Sequence, residues 1–380
     1  MGTYYIDPTA TAAGNGTLQN PYNSWSRVSW QAGSTYLQKA ETIYSGTVLV
    51  LGSNDKISSY GTGATPQIGG AYFYGATNDS ISNFTIRNNS VADIVFTHSS
   101  THNNVNNCNI SGGQVGVLFA TGAGANNYVS GNNIHDNKLF GVDVAQGTLG
   151  EYLLNNSICY NGSHGVELEG NGTTVLYNNI YDNSTSIPGS SGIHTYAENS
   201  QVDGGNNNVI AYNIVSGTHD NGSGDGNGIE IDQWTHGNVV VGNISYQNDG
   251  AGIVVYGAHN NQLIANVLFS NQTGSYSTHG IHGELDFISQ PNNNDPNYGN
   301  TISMNLLDST SSHGSALYLD SNSLSNQLTG TNFLTGSSGN LTNSQLGVAT
   351  SNWFSWWSSQ GVPSTLQGAG HAALQQMISF

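Results

Sequence analysis

One short unit recurs along most of this chain: Asn–apolar–x–x–Asn, a polar turn, then Gly–apolar–x–apolar. It runs from Asn109-Ile110 to Gly116-Val117, from Asn133-Ile134 to Gly141-Val142, and from Ile158 to Gly165-Val166. It continues from Asn179-Ile180 to Gly192-Ile193, from Asn213-Ile214 to Gly228-Ile229, and from Asn243-Ile244 to Gly252-Ile253. Asn266-Val267 to Gly280-Ile281 and Asn305-Leu306 to Ala316-Leu317 close the clear series. Ile110, Ile134 and Ile158 stand 24 residues apart. A turn of that size holds three short strands joined by bends, each alternating apolar and polar residues as a half-buried strand does. Strands so short bury no core alone, whereas stacked rungs do. Helical repeats are excluded because the runs are short, Gly-rich and β-branched. Leucine-rich repeats are excluded because their fixed leucine spacing is absent. The recurring Asn suits bends with left-handed backbone, and its amide can bond to the Asn of the next rung.

The expected architecture is therefore all-β, a single-stranded parallel β-helix of about ten rungs. Residues 1–50 read as an N-terminal cap with the first strands, 51–345 as the helix, and 346–380 as a C-terminal capping segment. That last segment carries Trp353, Trp356 and Trp357, then a helix-like Ala372-Ala373-Leu374-Gln375-Gln376-Met377. It is expected to cover the open end of the stack, since solenoids need such caps.

Charge narrows the function. Five Lys and Arg face 23 Asp and Glu, for a formal charge of −18. That balance argues against nucleic acid, whose phosphates need a basic patch, and against anionic membranes. No apolar run reaches the roughly 20 residues of a membrane-spanning helix. The composition points to a secreted or periplasmic protein whose signal peptide is missing from this sequence. Cys108 and Cys159 hold different places in the repeat, which leaves both two free thiols and a disulfide open. A monomer and a homotrimer are both compatible with the pattern.

In the strand that follows each repeat Gly, the first and third residues point inward, and the second and fourth point out. The second-position column reads Leu118, Asp143, Glu167, His194, Glu230, Val254, His282, Tyr318. The fourth reads Ala120, Ala145, Glu169, Tyr196, Asp232, Tyr256, Glu284, Asp320. Only 7% of the chain is charged, yet one strip gathers much of its titratable chemistry. A solvated sheet face explains any single carboxylate, but like charges on adjacent rungs repel, so structure alone does not account for the cluster. Loop lengths point the same way. Ile134 to Gly141 and Ile158 to Gly165 each span 7 residues, but Ile180 to Gly192 spans 12, Ile214 to Gly228 spans 14 and Val267 to Gly280 spans 13. The longer loops precede His194, Glu230 and His282 and would wall a groove over the acidic ladder.

The opening Tyr5-Ile6-Asp7-Pro8, Gly14-Asn15-Gly16-Thr17 and Asn20-Pro21-Tyr22, together with the rungs, resembles bacterial right-handed parallel β-helix carbohydrate enzymes. That superfamily includes pectate lyases, polygalacturonases, alginate epimerases and several glycosidase families. The resemblance implies a right-handed helix that acts on a polysaccharide or oligosaccharide. It does not fix the reaction, because the fold hosts many chemistries.

Glycoside hydrolysis needs two carboxyl groups, about 5–5.5 Å apart for retention or about 6.5–9.5 Å for inversion. Glu230 and Asp232, on one strand, are expected in the second range. Glu167 and Glu169 form a second pair, with His194 between the pairs as a tuning or hydroxyl-binding group. Tyr196, Tyr256, Trp234, His282, Glu284, Asp143 and Asp225 are the expected substrate-binding residues. No cofactor or metal is required in this reading. The rival is a polysaccharide lyase or uronate epimerase using His194 with Tyr196, or His282 with Tyr256. There, calcium on Glu167, Glu169, Glu230 and Asp232 could bridge to the uronate. Against it, none of Arg27, Lys39, Lys56, Arg87 and Lys138 falls in either column, and Asp7-Pro8 is followed by Thr9, not the His of alginate epimerases. A third reading is a non-catalytic carbohydrate-binding or adhesin solenoid, which would more naturally show aromatic platforms than stacked acids. A metal site on His194 and His282 lacks recognisable ligand spacing, and hydrogen bonding is the expected role of those histidines.

Overall fold

The computed structural model describes residues 2–87, 90–274, 283–289, 297–309, 314–323, 325–330, 332–335 and 343–379. Among them, the strands form a right-handed parallel β-helix with three faces. The first face is a sheet of 13 strands, from Thr3–Ile6 through Thr35–Lys39 to Gln327–Thr329. It exceeds the ten rungs expected because strands near the N-terminus already lie in the stack. The second face carries the Asn–Ile strands, such as Asn109–Ser111 and Asn133–His135. The third carries the strands after each repeat Gly, such as Val142–Val144 and Val166–Leu168. These two faces join at Gln67–Tyr74, whose first residues pair with Thr85–Arg87 and whose later residues pair with Ala92–Thr97 of the next rung.

The core is a set of in-register stacks. Ile86, Ile110, Ile134, Ile158, Ile180 and Val215 follow one another on the second face, all fully buried. The rings of Phe73, Phe96 and Phe119 stack with centroids 4.8 and 4.7 Å apart. The repeat Gly is required by close approach between rungs. A Cβ at Gly141 or Gly165 would lie 2.6 Å from the carbonyl oxygen of the next repeat Gly.

Buried side-chain ladders hold the corners. Asn156 donates to Asn178, Asn178 to Asn213 and Asn213 to Asn243, each at 3.0 Å. This ladder shifts one expected alignment. Ile214 pairs with Asn179, and Val215 takes the inward place of Ile180. Asn doublets such as Asn178-Asn179 offer two frames to a pattern reader, and only the ladder selects one. Cys108 and Cys159 are free and buried.

Acids complete some of these ladders. Glu284, expected to bind substrate, is fully buried, and its two oxygens accept from the backbone N–H and the amide of Asn271. Glu151 receives Asn127 in the same way. Asp79 stands one rung before Asn103, which donates its amide to the carbonyl of Ala76 at 3.0 Å. Burial raises the Asp79 carboxyl to about 7, against the hydrogen bond it accepts from the Asp55 N–H. The folded state therefore keeps a proton that the unfolded chain releases near the ordinary 3.8, and stability falls as pH rises between those values. Asp79→Asn supplies the amide permanently. Its unfolding midpoint should exceed that of the wild type at pH 8 and match it near pH 3. Equal midpoints at pH 8 would mean that Asp79 carries no such proton.

Helices α1 (Asn343–Ser358) and α2 (Ser364–Ser379) do not sit over the end of the stack. They lie along the flank of the second face, where Trp353, Trp357, Leu374 and Met377 pack on Ile214, Ile244, Val267 and Leu306. The indoles of Trp353 and Trp357 donate to the carbonyls of Ala265 and Gly242, both at 2.7 Å. The outward position explains the placement. It reads Asn109, Asn133, Ser157 and Asn179 in the early rungs, then Ile214, Ile244, Val267 and Leu306. An apolar outer stripe needs a cover, and the helices supply it. None of the helices in the described residues is long and apolar enough to cross a membrane.

Candidate active site

The third face places Asp143, Glu167, His194, Glu230 and Val254 on successive rungs at the second position. Glu169, Tyr196, Asp232 and Tyr256 directly follow the paired strand residues and share the fourth position. The column then departs from expectation. Val254 pairs with Asp286, and Tyr256 with Ile288. Ile253 pairs with Leu285, so Glu284 stands beside the repeat Gly252 and not at the fourth position foreseen for it. His282 lies outside the described residues.

His194 is the hub. Its Nδ1 lies 2.8 Å from Glu167 Oε2, and its Nε2 lies 3.3 Å from Asp232 Oδ2. Burial opposes charge on this ring, but Glu167 and Asp232 outweigh it and hold the pKa well above the ordinary value. With a carboxylate at each nitrogen, His194 is an imidazolium. Glu167 is its counter-charge. Burial raises that carboxyl, but His194 and His164 bring it below the ordinary value. His164 stacks on His194 with ring centroids 4.5 Å apart. Its Nδ1 accepts the Ser191 N–H at 2.9 Å, so the neutral ring carries its proton on Nε2, 3.4 Å from Glu167. Burial keeps His164 neutral, with its pKa lowered to about 4.

Glu230 is in the opposite state. Burial, then Asp225, raise its carboxyl to about 7 against the pull of His194 and Ser191. Its Oε2 accepts from Ser191 Oγ at 2.5 Å and from the Asn227 amide at 3.1 Å. Ligand-capable atoms of His194, Glu230 and Asp232 lie within 4.8 Å of one another. The nearest oxygens of the two acids thus lie closer than the inversion range expected from strand geometry. A cavity of about 220 Å³ opens here, lined by His194, Asp225, Glu230, Asp232 and Tyr256, with Val254 and Ile288 as apolar walls.

The other expected residues are spread along the strip. Glu169 lines a second cavity with Tyr196, and burial, then Glu167, raise its pKa. Asp143 lies one rung from Glu167, and burial with Glu167 and Glu169 raises it to about 7. Trp234 is half-buried and lines neither cavity. His164, Ser191 and Asn227 were not foreseen. Each directly precedes a repeat Gly, and the three stack through backbone bonds such as Gly165 N to Ser191 O. The alternation does not mark that column, because it lies in the bend before the strand.

The four acids of the calcium reading, Glu167, Glu169, Glu230 and Asp232, are not drawn into one close group among the described residues. Glu167 is held between two imidazoles, and calcium asks for about six to eight oxygen ligands. His164, Glu167 and His194 also approach within 4.8 Å, but the His164 nitrogen that faces Glu167 carries a proton.

A family model described as a right-handed beta helix region matches residues 69–223. No curated protein matches the chain. Among solved structures, the chain is similar to the A-module of the Azotobacter vinelandii mannuronan C-5 epimerase AlgE6. That likeness has 17% identity and a TM-score of 0.57, and covers 81% of this chain and 87% of that one. It is also similar to the periplasmic alginate epimerase AlgG, at 16% identity and a TM-score of 0.56, covering 87% of this chain and 84% of that one. A lacto-N-biosidase of family GH136 from Eubacterium ramulus follows at 12% identity and a TM-score of 0.43, covering 86% of this chain and 67% of that one. At such identities the likeness speaks to fold and not to reaction. By its architecture, and by its likeness to the two epimerase structures, the chain has the right-handed parallel β-helix fold.

Proposed function

We propose that this protein is a secreted or periplasmic glycoside hydrolase acting on a neutral polysaccharide or oligosaccharide, with Glu230 as proton donor and Asp232 as nucleophile. The observation that carries the reading is the pair itself. One carboxyl is kept protonated up to about pH 7 beside a second that faces an imidazolium. Glu230 gives its proton to the glycosidic oxygen as the bond to the anomeric carbon breaks. Asp232 attacks that carbon and forms a glycosyl ester. Glu230 then takes a proton from the water that cleaves the ester, and both acids return to their starting states. His194 positions Asp232 and balances its charge.

Proton abstraction next to a uronate carboxylate fits less well. It needs a base and a positive partner for the substrate. His194 holds its proton between two carboxylates, and no Lys or Arg lines either cavity. An acidic cleft repels a polyanion.

Screening neutral and uronic polysaccharides tests the reading. New reducing ends without an ultraviolet-absorbing product are expected, and the reverse result would reject hydrolysis. Chelator treatment should leave the rate unchanged. The close approach of the two acids predicts retention of anomeric configuration, which proton NMR of the first product reads directly. The pH profile follows from Glu230. A donor works only while protonated, so kcat/KM should fall tenfold per pH unit above about 7. A profile flat to pH 9 would rule Glu230 out as the acid.

A further inference from the structure

We propose that the second cavity on this face holds the sugar next to the one being cleaved, so that the substrate chain lies along the helix axis. This rests on the hydrolase reading and extends it to the length of substrate required.

The cavity measures about 130 Å³ and is lined by Gln146, Glu169, Tyr196, Ala197, Glu198 and Val202. It lies toward the N-terminal side of the catalytic cavity. Glu169, Tyr196 and Asp232 occupy the fourth position of consecutive rungs, so Glu169 and Asp232 are about 10 Å apart along the axis. Linked sugar rings span such a distance. Tyr196 stands between the two cavities, with its ring stacked on His194 at 5.7 Å. A flat ring between two polar recesses is a natural support for a pyranose face. Glu169, Glu198 and Gln146 surround it with groups able to accept hydrogen bonds from hydroxyls.

The chain length at this corner is independent support. From Leu168 to Thr174 the chain needs 6 residues to pass from the third face to the first, and from Ile231 to Val239 it needs 8. From Thr195 to Val209 it takes 14. The additional residues include Glu198 and Val202, which wall this cavity. The loop is anchored over it by Gly205 N–H donating to the Glu169 carbonyl at 3.0 Å. The insertion thus occurs at the rung of His194 and Tyr196, on the side that faces the strip.

The test compares an aryl monosaccharide glycoside with an oligosaccharide of the same sugar, once the screen has identified it. Glu198→Gln, or Val202→Trp to fill the cavity, should raise KM for the oligosaccharide about tenfold, as expected for one lost polar contact. The ratio of oligosaccharide to aryl-glycoside kcat/KM should fall by the same factor. If wild type cleaves both substrates and the ratio does not move in either variant, the second subsite is overturned and the hydrolase reading stands. If wild type cleaves neither, the hydrolase reading fails and takes the subsite with it.

Discussion

Glu230→Gln should lower kcat by about 10²–10⁴-fold, the usual contribution of a positioned general acid, while the cooperative unfolding transition stays in place. The substitution is nearly isosteric. The side-chain oxygen of Gln can still accept from Ser191 and Asn227, which hold Glu230 Oε2 in the wild type. What is lost is the proton. Chemistry that depends on it should suffer, and chemistry that does not should be spared. A substrate whose leaving group departs as a stable anion needs little protonation, so the variant should lose far less on an activated aryl glycoside than on a natural linkage. The basic limb of the pH profile should vanish with the carboxyl, since burial and Asp225 place that limb near 7. Full activity in Glu230→Gln, or an unchanged basic limb, would remove Glu230 from the mechanism.

The repeat made most of the fold legible. Alternation assigns Val166 and Leu168 inward and Glu167 and Glu169 outward, and the strand pairing places them so. The convergence of Glu167, His194, Glu230 and Asp232 on one wall follows from the same parity. Interactions that cross the repeat were harder to read. His164 belongs to the bend before the strand, where parity assigns no direction, yet it makes a close contact with Glu167. The pattern puts a repeat start at Gly280-Ile281, but the partner of Ile253 is Leu285, and Glu284 completes a ladder through Asn271. A local pattern cannot distinguish an outward acid from one that closes a row of amides, because the difference lies in the neighbouring rung. The change from Asn179 to Ile214 at the outward position was visible in the sequence. It became informative only once the ladder had fixed the frame.

His194→Ala should cost about 3–5 kcal/mol of unfolding free energy, the range seen when one partner of a buried ion pair is removed. Glu167 would be left buried with only the neutral His164 beside it. The pH dependence identifies the cause. Glu167 has a folded pKa below its ordinary 4.5, so its contribution is complete above that value and is lost as pH falls through the lower, folded one. His194 has a folded pKa well above its ordinary 6.5, so its contribution is complete below 6.5 and is lost as pH rises through the raised one. The gap between wild type and variant in urea unfolding should therefore be widest between pH 4.5 and 6.5 and narrow on both sides. A cavity effect alone would be flat across that range. Pairing His194→Gln with Glu167→Gln sharpens the argument, because two neutral amides can bond to each other. The double variant should lose less than the sum of the single losses, with a coupling above about 0.5 kcal/mol. Additive losses would mean that the two groups are neighbours without being partners, and the charge arrangement that holds Asp232 against His194 would need another source.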